Sequence, residues 1–203
     1  MKKIDLTKTE KSYYQATPDP GLVQLKAYDY LTIQGVSSPE APIFTDSIAS
    51  LYAVAYGIKF FYKSAGKDFV VPKLEGQWWV EGQLPFDQTP RDQWHWRLMI
   101  PLPGFATPTA FNQVLSQVAR KKKLDRISQI KWESLNEGRS VQILHVGSYE
   151  NEAASIEKII QFIQSSGLLI DGRHHEIYIT DPQRTPVERL KTIIRYPVKE
   201  TPK

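Results

Sequence analysis

A strand-like run from His174 to Thr180 carries a carboxylate and a phenol two positions apart, Glu176 and Tyr178. Period-two alternation sets Glu176, Tyr178 and Thr180 on one face, with Ile177 and Ile179 on the other. A carboxylate of this kind serves as counter-charge to a cationic ligand or as general base toward a water. A neighbouring phenol orients that water or donates a proton. If the isoleucines pack under a helix, Glu176 and Tyr178 look toward the opposite face. The alternative is that this face is solvent and both are ordinary surface residues.

The tryptophans bear on that choice. Trp78, Trp79, Trp94 and Trp96 fall in two neighbouring extended segments, and only Trp132 lies elsewhere. Trp94 and Trp96 share one face of a strand, whereas Trp78 and Trp79 must split between faces. Tryptophan pairs a large apolar body with a polar handle, as ligand walls require. Trp79, Trp94 and Trp96 are therefore the expected walls, with Trp78 packing on the first helix; a Trp-rich core is the alternative. A carboxylate facing aromatic walls suits planar ligands, cationic ones included.

Other chemistries find little support. Zero cysteines exclude disulfides, thiol nucleophiles and thiolate metal sites. His174 and His175 are adjacent, so on a strand they point apart; His95 and His145 stand alone. No metal and no cofactor is expected. A glycine-rich phosphate loop and a nucleophile-elbow serine context are both absent. The net charge is +4, much of it in Arg120 to Lys123. That run sits at a helix end, where cations suit the macrodipole, and with no recognition-helix module no specific nucleic-acid binding is expected. No apolar run approaches the roughly 20 residues of a membrane span, and no apolar segment follows Met1 to Lys8. The expectation is a cytoplasmic protein away from membranes.

The elements that must position these residues fall into two similar halves. Residues 1–22 read as an N-terminal arm with little periodicity, and residues 23–203 as one domain. Leu25 to Val36 holds a strand that ends at Gly35, a landmark matched by Gly147 in the second half. Thr45 or Asp46 caps a helix through Ile48, Leu51, Tyr52, Ala55 and Tyr62, which Gly66 ends. Phe69 to Trp79 and Gln93 to Ile100 are extended. Thr107 and Pro108 open a linker helix over about 107–123, with Phe111, Val114, Leu115 and Val118 on one face. Val141 to Gly147 is again a strand ending in glycine. Asn151 caps a helix with Ile156, Ile159, Ile160 and Ile163 in register, and His174–Thr180 and Leu190–Val198 follow as strands. The fold expected is α+β: two pseudo-symmetric βαββ repeats, about 25–100 and 138–198, with helices outside and the sheets forming a ligand cleft.

The segment His174–Val198 resembles the closing motif of the GyrI-like, or bacterial activator effector-binding, domain. That motif is a Glu-x-Tyr strand, an Asp-Pro turn, and a strand ending near Pro-Val. Leu74–Trp79 and Trp94–Phe105 are similar to the stand-alone branch, in which no DNA-binding helices precede the domain. The resemblance implies a pseudo-two-fold scaffold with a ligand cleft. In multidrug-responsive regulators of this family a Glu lies at the cleft base, and Glu176 matches it.

The resemblance also implies two readings of function. The first is a sensing or sequestering protein for lipophilic or aromatic small molecules, with Trp79, Trp94, Trp96, Glu176 and Tyr178 holding the ligand. The second is a detoxifying hydrolase that opens cyclopropanoid DNA-alkylating genotoxins, with Glu176 as general base and Tyr178 assisting. A third, an interaction domain that inhibits a DNA-handling enzyme, needs an acidic or apolar surface that the basic balance disfavours.

Overall fold

A computed structural model describes residues 3–202. Along the chain run α1 (Leu6–Thr9), α2 (Lys11–Tyr14), β1 (Gly21–Gln24), β2 (Tyr28–Val36), α3 (Pro42–Ser64), β3 (Glu75–Trp79), β4 (His95–Pro101), α4 (Pro108–Lys121), β5 (Lys131–Leu135), β6 (Arg139–Val146), α5 (Ala153–Ser165), β7 (Leu168–Ile170), β8 (His174–Tyr178) and β9 (Lys191–Glu200). Both expected βαββ orders are present, and the strand pairs of each unit are antiparallel. No helix among the described residues is long and apolar enough to cross a membrane.

The chain divides into two compact units. The first holds the residues up to Thr9 and Tyr28–Leu135. Its strands run in the order β3-β4-β2-β5. Helix α3 begins at Pro42 rather than beyond Thr45, because proline suits the first helical turn. Helix α4 starts as expected: Thr107 accepts a hydrogen bond from the Ala110 amide at 3.2 Å. It packs on α3, placing Ala110, Phe111 and Val114 in the same core as Leu51, Val54 and Ile58. It is thus part of the first unit's core rather than a separate linker.

The second unit holds Glu10–Ala27 and Asn136–Lys203. Strands β1, β6, β9 and β8 are neighbours in that order, and β7 also pairs with β9. Ile159 and Ile163 of α5 pack on Val141, Ile143 and Ile194. The arm departs from the expectation of little structure: it holds two helical turns and a strand, β1, paired with β6. Its docking follows from a buried cation. Arg195 is fully buried. Its Nη1 donates to Glu137 Oε2 at 3.0 Å, its Nε and Nη2 to Gln142 Oε1 at 3.1 and 2.9 Å, and its Nη2 to the Tyr13 carbonyl at 2.7 Å. The guanidinium lies 4.3 Å from the Tyr13 ring centroid. Gln142 Nε2 in turn donates to the carbonyls of Ser12 and Gln15, so the arm supplies acceptors that the sheet lacks.

The two landmark glycines have different roles. Gly147 follows β6 with φ of 131°, a conformation that favours glycine. Gly35 lies inside β2, opposite Trp96 of β4, and a Cβ there would run into the Trp96 indole. Gly35→Ala is expected to cost about 1–3 kcal/mol through overpacking. Adding Trp96→Leu should recover part of that loss in denaturant unfolding, so that the two changes are not additive.

Glu137 gives a second expectation. Burial opposes its charge, but the imidazole of His175, at 2.8 Å, and the guanidinium of Arg195 outweigh burial and lower its pKa to about 2. A lowered carboxylate pKa stabilises the fold above the unfolded value, near 4.5, and that contribution is lost as pH falls toward 2. Stability should fall across this window by on the order of 3 kcal/mol. Glu137→Gln should flatten the acid limb of a pH–denaturation series while lowering stability at neutral pH.

Candidate functional site

Register decides which face each candidate occupies, since residues directly opposite on antiparallel strands share a face. Glu176 is opposite Ile194 and Tyr178 opposite Thr192. Ile194 is opposite Ile143 on β6 and packs with Ile159 and Ile163 of α5. Glu176 and Tyr178 therefore lie on the α5 side of the sheet. Ile177, opposite Ile193, lies on the other face with His175 and Arg195. This reverses the expected facing, in which the isoleucines met the helix. The physical reason is the docked arm, which gives that second face its own cover; Ile179 and Leu144 border the same hollow as Tyr14 to Thr17.

The tryptophans are not brought together on one wall. Trp78 is directly opposite Trp96, and Trp79 opposite His95. Phe44 of α3 stacks on Trp78 at 5.5 Å and meets Trp96 edge-on at 5.3 Å. Trp96 is fully buried, and its indole N–H donates to Ser37 Oγ at 3.0 Å. Trp94 packs edge-on to Trp78 at 6.2 Å and donates to the Thr89 carbonyl. Trp94 and Trp96 thus belong to the helix side of the first unit, as the Trp-rich core alternative had it. Trp79 lies on the face away from α3, half-buried, 5.4 Å from the His95 ring.

Around Glu176 the second unit builds a compact polar cluster. His174 Nε2 lies 2.8 Å from Glu176 Oε1, and its Nδ1 lies 2.7 Å from the Tyr196 hydroxyl. A neutral imidazole satisfies both contacts, accepting from Tyr196 and donating to Glu176. Glu152, the residue before α5, completes the cluster. Its backbone caps the helix, but its side chain makes no capping bond. It is buried instead beside Glu176. One ligand atom from each of Glu152, His174 and Glu176 lies within 4.8 Å of the others.

The electrostatics follow from that arrangement. A carboxyl at a helix N-terminus ordinarily ionises more easily. At Glu152, burial, then the charge of Glu176 and the hydrogen bond to it, override this and push the pKa up to about 9, against a smaller opposing bond from Thr192. Glu152 therefore holds a proton at neutral pH and donates it toward the Glu176 carboxylate. Burial and the Glu176 charge also push Tyr149 up to about 12 and raise Tyr196. Both phenols remain donors. Tyr149 meets the Tyr178 ring edge-on at 5.9 Å and is 40% exposed, giving the cluster an aromatic edge open to solvent. The cluster can give a proton, take one, and hold a planar or cationic group. A divalent ion on Glu152, His174 and Glu176 would have to displace the proton first.

Glu152, Tyr149, Tyr196 and His174 were not among the expected site residues. The signal for Glu152 was an acid just before an amphipathic helix, which reads equally as a solvent-facing first-turn charge. Strand alternation parts His174 from His175 as a metal pair, and the partners of His174 are instead a carboxylate and a phenol. His145, which stands alone in the sequence, is hydrogen-bonded with Ser155 Oγ and the Ser148 carbonyl, both at 3.0 Å.

The sequence model of the GyrI-like small molecule binding domain matches residues 19–199. Among solved structures, the chain is similar to an uncharacterized conserved protein from Listeria innocua, at 34% identity and a TM-score of 0.91, covering 97% of this chain and 100% of that one. It is similar to a hydrolase from Listeria innocua at 32% identity and a TM-score of 0.86, covering 97% and 100% of the two chains. A hydrolase encoded by lin2189 from the same organism is 34% identical with a TM-score of 0.87, covering 98% and 100%. The EcmrR C-terminal domain, at 12% identity and a TM-score of 0.57 over 90% of this chain and 98% of that one, shares the fold alone. No curated protein matches the chain.

The Glu152–Glu176 pair sets a pH dependence. The folded state holds a proton that the unfolded chain releases near pH 4.5. Its contribution to stability is full below that pH and is lost as pH rises through about 9. Melting temperature should therefore decline over this window. Glu152→Gln should remove the decline and melt higher than the parent at the alkaline end. An unchanged slope in the variant, read by scanning calorimetry, would assign the proton elsewhere.

Proposed function

Because the chain belongs to the GyrI-like small molecule binding domain family, we propose that it is a hydrolase acting on a planar, lipophilic, electrophilic small molecule, with Glu176 and Glu152 as its acid–base pair. One observation carries this reading: the carboxyl groups of Glu152 and Glu176 come within 4.8 Å of each other beside His174, which also meets the Tyr196 hydroxyl. Two carboxyls held in different protonation states by their surroundings suit acid–base division of labour. The similarity to two Listeria innocua hydrolases supports the same reading.

The substrate class that fits is an activated cyclopropane conjugated to a carbonyl, as in cyclopropanoid DNA-alkylating genotoxins. Glu176 takes a proton from water as the water oxygen bonds to the ring carbon. The strained C–C bond breaks, its electron pair passes into the conjugated system, and the resulting oxyanion takes a proton from Tyr178 or Glu152. Atoms balance as substrate plus water giving a ring-opened alcohol, which no longer alkylates. His174 holds Glu176 in place, and Tyr149, Tyr178 and Tyr196 offer aromatic contact. This reading places the activity in the cytoplasm, where such a compound would reach DNA.

A second reading, binding of a lipophilic cation for sensing or sequestration, draws on the single negative charge amid phenol faces. The two separate by experiment. Incubation with an activated-cyclopropane compound, followed by mass spectrometry, should give a product heavier by one water. Glu176→Gln should lower turnover by about 10²–10⁴-fold with little change in KM. Absence of ring-opened product, together with a Glu176-dependent affinity for a lipophilic quaternary cation, would replace the hydrolase with the binder.

A further inference from the structure

The first unit carries a groove that has no part in this chemistry. Between α3 and α4 runs a groove of about 660 Å³, within the range of small-molecule clefts. One wall is a row of rings on successive turns of α3: Tyr52, Tyr56 and Phe60, with adjacent centroids 6.3 Å apart. Tyr56 is 47% and Phe60 58% exposed. Large apolar rings left open in a continuous row mark a contact surface more often than scattered exposed residues do. The groove exists because Gly57 sits where any larger residue would meet α4: a Cβ there would lie 2.7 Å from Val114 and 2.9 Å from Val118. Glycine inside a 23-residue helix costs roughly 1 kcal/mol in helix propensity, and here it lets the two helices close over a shared floor.

The groove's charge is one-sided. Helix α4 contains no acidic residue and ends in Arg120 and Lys121, and Lys122 and Lys123 follow. Lys121 and Lys122 both line the groove. Tyr62 bonds Thr107 at the start of α4 while Gly57 faces Val114 and Val118, so the helices are antiparallel. The basic end of α4 therefore lies toward Tyr52, at the end of the ring row away from Phe60. The carbonyl end of a helix disfavours an anion on its axis. A head group here is held by the lysine ammonium groups, whose flexible stems reach past the helix end. Asp125 is the nearest acid in sequence, and it leaves the Arg120–Asp125 stretch strongly cationic.

We propose that this groove is a binding site for amphiphilic monoanions: an extended apolar body along Tyr52, Tyr56 and Phe60, and a carboxylate or sulfonate at Lys121 and Lys122. Charge complementarity selects the occupant, because a neutral or cationic amphiphile gains nothing from the lysines. The apolar body uses the exposed rings, which a hydrophilic anion such as phosphate would leave in water. The site is separate from the Glu152–Glu176 cluster and does not depend on its chemistry.

The experiment uses the full chain with 8-anilinonaphthalene-1-sulfonate as fluorescent probe and decanoate as competitor. Saturable probe binding is expected, with displacement by decanoate at least tenfold more effective than by decanol or decyltrimethylammonium. Amide chemical shifts of Gly57, Val114 and Val118 should move on decanoate addition. Lys121→Glu with Lys122→Glu should weaken decanoate at least tenfold with unchanged circular dichroism, whereas Phe60→Ser should weaken decanoate and decanol alike. Glu176→Gln should leave all of these values as in the parent, so that failure here and failure of the hydrolase reading are separate results. Equal displacement by all three amphiphiles, shift changes confined to other residues, or indifference to the lysine changes would overturn the proposal. So would a dimer that Phe60→Ser converts to monomer, since the groove would then belong to a second copy of the chain.

Discussion

Arg195 has no solvent to hydrate it, so every part of its guanidinium must be matched by protein. Glu137, Gln142 and the Tyr13 carbonyl do this, with the Tyr13 ring on its face. Removing one partner of such a buried ion pair typically costs about 3–5 kcal/mol, because a charge is left without compensation. The requirement reaches well beyond the contact itself. It draws the arm across one face of the second unit's sheet, where the arm borders Ile179 and Leu144 and the Leu144 amide donates to the Thr17 carbonyl, and leaves the α5 face to Glu176. The orientation of the candidate site thus follows from a cation on the other side of the sheet.

Each face of β8 meets a buried glutamate from elsewhere in the second unit, Glu137 at His175 and Glu152 at Glu176, and the neighbouring charges shift the two in opposite directions. Glu137 stays ionised because His175 and Arg195 surround it; Glu152 keeps its proton because burial and Glu176 disfavour a second negative charge. Desolvation acts on both, and the sign of the neighbouring charge decides the outcome. The structural network is thereby electrostatically closed. At the candidate site, burial and the charge of Glu176 raise Glu152, Tyr149 and Tyr196 together.

In the first unit, aromatic residues divide between support and contact. Trp78 and Trp96 clamp Phe44 and set the packing of α3 on the sheet, and Gly35 leaves space for the Trp96 indole. Tyr56 and Phe60, on the outer surface of the same helix, have no such partner layer and border the groove against α4. A single helix therefore presents a filled face and an open one. Its 3.6-residue period separates the two.

Much of this was legible from residue order. Period-two alternation grouped Glu176 with Tyr178 and separated Trp78 from Trp79, and Thr107 with Pro108 marked the start of α4, because these are local properties of backbone geometry and capping. The repeated strand–helix–strand–strand order anticipated the main elements of both halves, but not β5 or β7. Alternation says which residues share a face, but not which layer covers that face. For β8 the cover was set by an arm more than 150 residues away in the chain, docked by Arg195, so the assignment of Ile177 and Glu176 to their layers was decided only by tertiary contacts. Glu152 was hidden for the same reason: an acid before a helix is unremarkable until the fold buries it against another carboxylate. A pKa depends on distance and burial, and both are properties of the folded chain.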